Sequence, residues 1–168
     1  MPEILPSIES FNCFACGPHN EIGLRLRFSE AGPDRVRTEF QVGEEHTGMT
    51  GVVHGGIVAT VLDEAMAWCL YRFRYASHVT ATMEQRFRGT VRAGAPLVAE
   101  GWIAEDRGSR LRMKAAIWDR DAPDRIVAEG AGLYVRTPDS TLDDVPEDQR
   151  AEMDEMFERY RERDGAAS

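Results

Sequence analysis

The feature that most constrains the fold is one long apolar segment, residues 54–73. It is rich in Ala, Leu, Met and Val, contains no proline, and has no glycine after Gly56. These properties predict a single long helix. Between residues 57 and 70 only Asp63 and Glu64 carry charge. A helix that is apolar nearly all round has to be largely buried by other elements.

Segments on both sides of this helix have the alternation of apolar and polar residues that is typical of strands. Residues 21–28 and 35–42 predict a hairpin across the turn AGPD, and residues 43–53 predict a loop. Four later segments also predict strands: 78–89, 96–107, 110–120 and 125–136. The third of these strands is expected to have one covered face and one solvent-exposed face. Its residues Leu111, Met113, Ala115 and Ile117 alternate with Arg110, Arg112, Lys114 and Ala116. The simplest arrangement is an α+β fold in which about six antiparallel strands wrap round one central helix.

The last part of the chain differs in charge from the rest. Residues 138–168 contain eleven acids and four arginines, a net charge of −7, whereas the whole chain has −9. This predicts a domain over residues 1–137 and an acidic helical extension over 138–168, with Met153, Met156, Phe157 and Tyr160 on one side. The remaining charge of −2 gives no basic footprint, so a nucleic-acid partner is not expected.

Export and membrane signals are not found in the sequence. No segment reaches the roughly 18 to 20 apolar residues of a membrane span, and MPEILPSIES lacks the features of a signal peptide. The sequence therefore predicts a cytoplasmic protein with no membrane partner. Three cysteines, an odd number, are expected to be reduced thiols.

Two adjacent acids inside an apolar helix need an explanation. A buried carboxylate is costly unless it is paired, neutral or functional. One interpretation is that Asp63 and Glu64 form salt bridges at the edge of the helix, and the other is that one of them is catalytic. Residues in succession point about 100° apart on a helix, so the two acids need not share a role.

The glycine pair at the start of the helix suggests a binding site. At Gly55 and Gly56 no side chain covers the free N–H groups of the first turn, which could stabilise a carbonyl oxygen acquiring negative charge. The alternatives are a tight turn for the glycines and a helix-entry hydrogen bond for His54. Asp63 follows Gly55 by eight residues, roughly 12 Å of helix rise. One small carbonyl group cannot contact both residues within one chain. A dimer could bring the helix start of one chain close to Asp63 of the other chain.

These residues resemble a known family, the hot-dog-fold acyl-CoA thioesterases of the phenylacetate-pathway (PaaI-like) type. The resemblance covers about residues 12–137 and lies in NCFACGPHNEIGLRLRF, VVHGGIVATVLDEAMAW and VTATMEQRFRGTVRAG. It implies a sheet wrapped round the helix and a homodimer or homotetramer with active sites at the subunit interface. The implied activity is hydrolysis of an acyl-coenzyme A thioester without a cofactor.

The resemblance also implies roles for individual residues. The Gly55 N–H would polarise the thioester carbonyl, with His54 at the same end. Asp63 of the partner chain would attack the carbonyl or activate water, and Thr80 would orient that water. Further residues are predicted to contact the substrate, with Arg86 and Arg88 as candidates for the coenzyme A phosphates. These substrate-contacting positions are Gly48, Gly56, Glu64, Arg86 and Arg88.

One departure from the family and one cysteine motif leave alternatives open. Many relatives have Asn where this chain has Gly48, so a non-catalytic acyl-CoA-binding or sensing protein is the alternative function, and a structural partner-binding dimer is a third. The CxxC pair Cys13 and Cys16 invites a metal interpretation, but zinc takes four ligands and only His19 lies nearby in sequence. No metal site is therefore predicted.

Overall fold

The computed structural model describes residues 3–138 and 143–165 and contains eight strands and two α-helices. The N-terminal half holds β1 (Ser29–Gly32), β2 (Arg35–Phe40), β3 (Thr47–Met49), β4 (Val52–Val53) and helix α1 (Gly55–Arg74). The C-terminal half holds β5 (His78–Phe87), β6 (Leu97–Asp106), β7 (Arg110–Asp119), β8 (Ala122–Arg136) and helix α2 (Glu147–Asp164).

Six strands form one antiparallel sheet in the order β1-β2-β6-β7-β8-β5, and its inner face packs on α1. The predicted α+β hot-dog fold is thus confirmed, including the central helix and the C-terminal helix. On β7, Leu111, Met113, Ala115 and Ile117 are buried, as the alternation predicts, and the charged residues between them are exposed. Ala116 is the exception, because this small residue is also buried on the outer face.

A glycine allows α1 to approach the sheet closely. A Cβ at Gly101 of β6 would lie 2.2 Å from the Ala65 carbonyl oxygen of α1, and 2.8 Å from the Met66 nitrogen. Both are backbone atoms, which cannot move aside as a flexible side chain can. The Gly101 position therefore fixes how deeply the helix sits and, with it, the position of the helix residues near Asp63.

The prediction for the first strand was wrong. Residues 21–28 do not join the sheet, and the hairpin is instead formed by β1 and β2. Leu24 N–H donates to Phe14 O at 2.8 Å and Leu26 N–H to Ala15 O at 2.9 Å, so this segment pairs with the N-terminal lead-in. Between them Arg25 has φ of 50°, which interrupts the extended backbone.

The predicted loop 43–53 is also more ordered than expected. It contains a short 3-10 turn, Glu44–His46, and the small hairpin of β3 and β4. The other five predicted strands and both helices are confirmed, with bounds within a few residues of those predicted.

The N-terminal segment and α2 cover the side of α1 that faces away from the sheet. Phe28 stacks on Trp68 with ring centroids 5.5 Å apart, and Tyr71 contacts Phe157 of α2 at 5.8 Å. The predicted apolar side of α2 is confirmed, because Met153, Met156, Phe157 and Tyr160 are all buried. Among the described residues, no helix combines the length and the apolar character that crossing a bilayer requires.

Candidate active site

Helix α1 begins with an open hydrogen-bond donor. His54 is the N-cap, and its Nδ1 accepts the Gly56 N–H at 2.9 Å. In the neutral ring the proton is therefore on Nε2. Gly55, the first helical residue, has an N–H with no acceptor in the part of the chain that the structure describes. Of the two predicted donors, Gly55 is free for a ligand and Gly56 is used by the cap.

Gly48 lies against the cap residue. A Cβ at Gly48 would lie 3.1 Å from Cδ2 of His54, so this glycine on β3 leaves room for the imidazole ring. His54 itself is exposed, and its backbone N–H donates to His46 O at 2.9 Å. Gly48 thus contributes space beside the helix start and no side chain.

Asp63 is held by two hydroxyl groups. Thr80 Oγ1 donates to Asp63 Oδ1 at 2.8 Å, and the Tyr134 hydroxyl donates to the same oxygen at 2.5 Å. Among the described residues, Oδ2 has no hydrogen-bond partner. One carboxylate oxygen is therefore fixed while the other is available for chemistry. Within one chain the structure brings Asp63 and Thr80 together, and the catalytic roles of both residues stay predictions.

Tyr134 is the residue of this site that sequence reasoning missed. It lies on β8 directly opposite Thr80 of β5, and its side chain is fully buried. Burial, and then the nearby charge of Asp63, raise the pKa of its hydroxyl, so it remains a donor at neutral pH. The only sequence signal was the alternation along β8, which marks Tyr134 as inward-facing but does not give its partner strand.

Glu64 has a different environment from Asp63. Trp68 Nε1 donates to its Oε1 at 3.0 Å, and Oε2 lies 4.0 Å from Cys13 Sγ. Burial, and then the Cys13 thiolate, raise the pKa of Glu64 to about 7. The edge salt bridge considered from the sequence is not formed by either acid within the described residues, because no Lys or Arg lies within 4.0 Å of them.

The two predicted arginines do not lie beside Asp63. Arg88 pairs with Glu129 at 2.5 Å. Arg86 lines a groove on the outer face of the sheet, together with Trp102 and Trp118. Within the described residues neither guanidinium group pairs with Asp63, and the phosphate-binding role of both arginines stays a prediction.

Gly55 and Asp63 lie on one helix, eight residues and roughly 12 Å of rise apart. The structure thus retains the separation from which a two-chain site was inferred. Strand β5, which carries Thr80, is the last strand of the sheet, and its Val79 and Phe87 are 48% and 53% exposed.

Comparison with known proteins finds similarity to thioesterases at the level of both sequence and fold. The model of the thioesterase superfamily matches residues 50–125. Acyl-coenzyme A thioesterase 13 of Homo sapiens is 26% identical over 107 residues, which are 63% of this chain and 76% of that protein.

Solved structures share the fold. A thioesterase superfamily protein superimposes with a TM-score of 0.68 at 20% identity, over 80% of this chain and 68% of that chain. The Escherichia coli PaaI protein of the phenylacetic acid degradation operon superimposes with a TM-score of 0.62 at 16% identity. The superposition covers 68% of this chain and 81% of that chain. At this identity the likeness shows a common fold, and the PaaI type stays a prediction. The residues matched by the superfamily model include all of α1, and the solved structures share the hot-dog fold of this chain.

Proposed function

We propose that this protein hydrolyses acyl-coenzyme A thioesters to a free acid and coenzyme A. The observation that carries the proposal is the Asp63 carboxylate, whose Oδ1 is fixed by Thr80 and Tyr134 while Oδ2 has no hydrogen-bond partner among the described residues. A carboxylate held in this way is ready to act as a nucleophile or a general base. The superfamily match and the name of the human relative support thioester chemistry in general.

The second half of the proposed site is the start of α1. The Gly55 N–H would donate to the thioester oxygen as it gains negative charge, and the positive end of the helix dipole would add to this stabilisation. His54 lies at the same end, and its protonated Nε2 could support the same oxygen. The thioester is already a good electrophile, so the proposed reaction uses neither a metal ion nor a cofactor for this step.

A homodimer would complete the site. Gly55 and Asp63 of one chain are too far apart for one carbonyl, whereas antiparallel helices of two chains would place each helix start near the partner's acid. The free edge of β5 supports this arrangement, because an edge strand presents unpaired backbone groups that pair readily with another chain. Phe87 adds an exposed aromatic ring beside Gly55. A tetramer of two such dimers remains a prediction from the resemblance, and the cytoplasmic location remains a prediction from the sequence.

The test is thiol release from a panel of short-chain, medium-chain and aryl acyl-coenzyme A substrates. We expect turnover by the wild type and a loss of at least 100-fold in kcat for Asp63→Asn, because removal of a catalytic carboxylate usually costs this much or more. Asp121→Asn is the matched control, since this acid is exposed and, among the described residues, its carboxylate pairs only with its neighbour Arg120. Activity retained by Asp63→Asn would refute the mechanism.

The alternative function is acyl-CoA binding without turnover. The observation that favours it is Gly48, which has no side chain to orient a ligand and instead makes room for the His54 ring. This alternative predicts saturable binding of acyl-coenzyme A with no thiol release from any member of the panel. Steady hydrolysis would exclude it.

A further inference from the structure

The two cysteines of the CxxC motif lie against Glu64 of helix α1. Cys13 Sγ, Cys16 Sγ and a Glu64 carboxylate oxygen all lie within 4.8 Å of one another, and the Cys13 to Glu64 distance is 4.0 Å. Cys16 is 6% exposed. The sequence offered only His19 as a further ligand, but His19 is exposed and pairs with Glu9 at 3.2 Å. The tertiary structure supplies a different third ligand.

The turn that carries the cysteines is shaped to hold both sulfur atoms on one side. Gly17 N–H donates to Cys13 O at 2.9 Å, and Ala15 N–H points at Cys13 Sγ at 3.3 Å. A Cβ at Gly17 would lie 2.5 Å from Cys13 O and 2.8 Å from Phe11 O, so this turn requires glycine. Backbone N–H groups directed at sulfur stabilise a thiolate, which is the form that binds metal ions.

The three ligand atoms converge where the lead-in meets helix α1. Trp68 Nε1 donates to Glu64 Oε1 at 3.0 Å, which leaves Oε2 on the side of Cys13 Sγ, 4.0 Å away. Cys16 Sγ completes the group from a buried position. Two sulfur atoms and a carboxylate oxygen gathered in this way could all be ligands of one divalent ion.

We propose that Cys13, Cys16 and Glu64 bind one Zn²⁺ ion. Two thiolates favour a soft divalent metal over Mg²⁺ or Ca²⁺, and zinc accepts a carboxylate oxygen as a third ligand. In tetrahedral zinc sites, sulfur and oxygen ligands lie about 3.5 to 4 Å apart, so the cluster needs to contract by no more than about 1 Å. Solvent takes the fourth position. Binding releases any protons held by the two cysteine sulfur atoms and by Glu64 to solvent.

The ion would clamp the N-terminal lead-in to the central helix. Residues 13–16 belong to a segment that also contacts the body through hydrogen bonds from Ser10 to Glu152 and through packing of Phe28 on Trp68. Glu64 adjoins Asp63, so the clamp would also hold the helix turn that carries the proposed catalytic acid. The clamp is structural, and its evidence does not depend on the thioesterase proposal.

The test uses the full chain, reduced and freed of metal by a chelator under anaerobic conditions. Co²⁺ is titrated first as a spectroscopic probe, followed by Zn²⁺. We expect one equivalent of Co²⁺ with thiolate-to-cobalt charge-transfer absorption, displacement of Co²⁺ by Zn²⁺, and a higher Tm with Zn²⁺. Metal content of the freshly isolated protein, measured by mass spectrometry, provides a second readout.

Three variants separate the ligands from their surroundings. Cys16→Ser is expected to abolish the charge-transfer band. Glu64→Gln is expected to weaken Zn²⁺ binding at least tenfold, and it leaves the turn that carries the cysteines unaltered. Cys69→Ser is the matched control, because this buried thiol contacts Asp34 O and lies outside the cluster. The proposal is overturned if the reduced wild type shows no charge-transfer band with Co²⁺, or if Cys16→Ser binds Zn²⁺ as tightly as the wild type does. It is also overturned if added Zn²⁺ leaves the Tm of the metal-free protein unchanged.

Discussion

Arg72 is a buried cation that joins helix α1 to the end of helix α2. Its side chain is 3% exposed, and its Nη1 and Nη2 donate to the two carboxylate oxygens of Asp164 at 2.6 and 2.7 Å. Nε donates to Glu30 at 2.6 Å, and the Tyr75 hydroxyl also donates to Asp164. A two-point ion pair of this kind is stronger than an ordinary surface salt bridge. The perturbation that tests it is Asp164→Asn, which keeps the size and removes the charge.

The expected magnitude follows from the pKa of Asp164. The hydrogen bonds from Arg72, and then the one from Tyr75, lower this pKa from 3.8 to about 2. By linkage, this corresponds to at most about 2 kcal/mol of the free energy of unfolding at pH 7, and solvent screening of this partly exposed carboxyl reduces it. Asp164 retains 27% exposure, so the loss is expected to stay below the 3 to 5 kcal/mol that breaking a fully buried pair costs.

The sign of the pH dependence is fixed by the lowered pKa. The stabilisation is present above the unfolded pKa near 4 and is lost as the pH falls through the folded pKa. Urea unfolding is therefore expected to show a difference between the wild type and Asp164→Asn that is nearly constant from pH 7 to pH 4 and about half as large at pH 3. Asp154→Asn, an exposed acid on the same helix, is the control. An equal free energy of unfolding for Asp164→Asn and Asp154→Asn at pH 7 would refute the reasoning.

Three further predictions concern the site and the helix that carries it. Tyr134→Phe removes one of two hydrogen bonds to the proposed catalytic carboxylate, and we expect kcat to fall by about tenfold or more with little change in KM, measured by thiol release; an unchanged kcat would contradict the assigned positioning role. Gly101→Ala places a Cβ 2.2 Å from the backbone of α1 and is expected to cost at least about 2 kcal/mol in urea unfolding, whereas Gly89→Ala, whose nearest contact is a flexible arginine at 3.6 Å, should cost much less. In reduced, metal-free protein, Glu64→Gln should raise the free energy of unfolding by up to about 3 kcal/mol at pH 8. The reason is that the pKa of this carboxyl is raised to about 7, so it destabilises the fold increasingly between its unfolded pKa near 4.5 and pH 7. No gain in the free energy of unfolding at pH 8, or an equal gain at pH 4, would count against this prediction.

Much of the architecture was predictable because its signals are local. The apolar run of α1, the alternation along β7 and the charge of the tail all repeat at the period of one element, so no knowledge of distant contacts was needed. The strand predicted at residues 21–28 shows the limit of this approach. Its alternation was real, but Leu24 and Leu26 bond to the lead-in at Phe14 and Ala15 rather than to the sheet. Periodicity gives the inward side of a segment and not its partner.

The same distinction applies to the site. The sequence by itself determined the helix start at Gly55, the acid at Asp63 and the roughly 12 Å between them, because helix geometry fixes the separation of residues on one element. Only the tertiary structure placed Tyr134 and Thr80 on one oxygen of Asp63 and Cys13 and Cys16 against Glu64. These contacts join residues from 17 to 71 positions apart, and their register depends on how the strands and the lead-in pack on α1. The two adjacent acids are separated by this packing: one faces hydroxyl groups at the sheet edge, and the other faces buried sulfur.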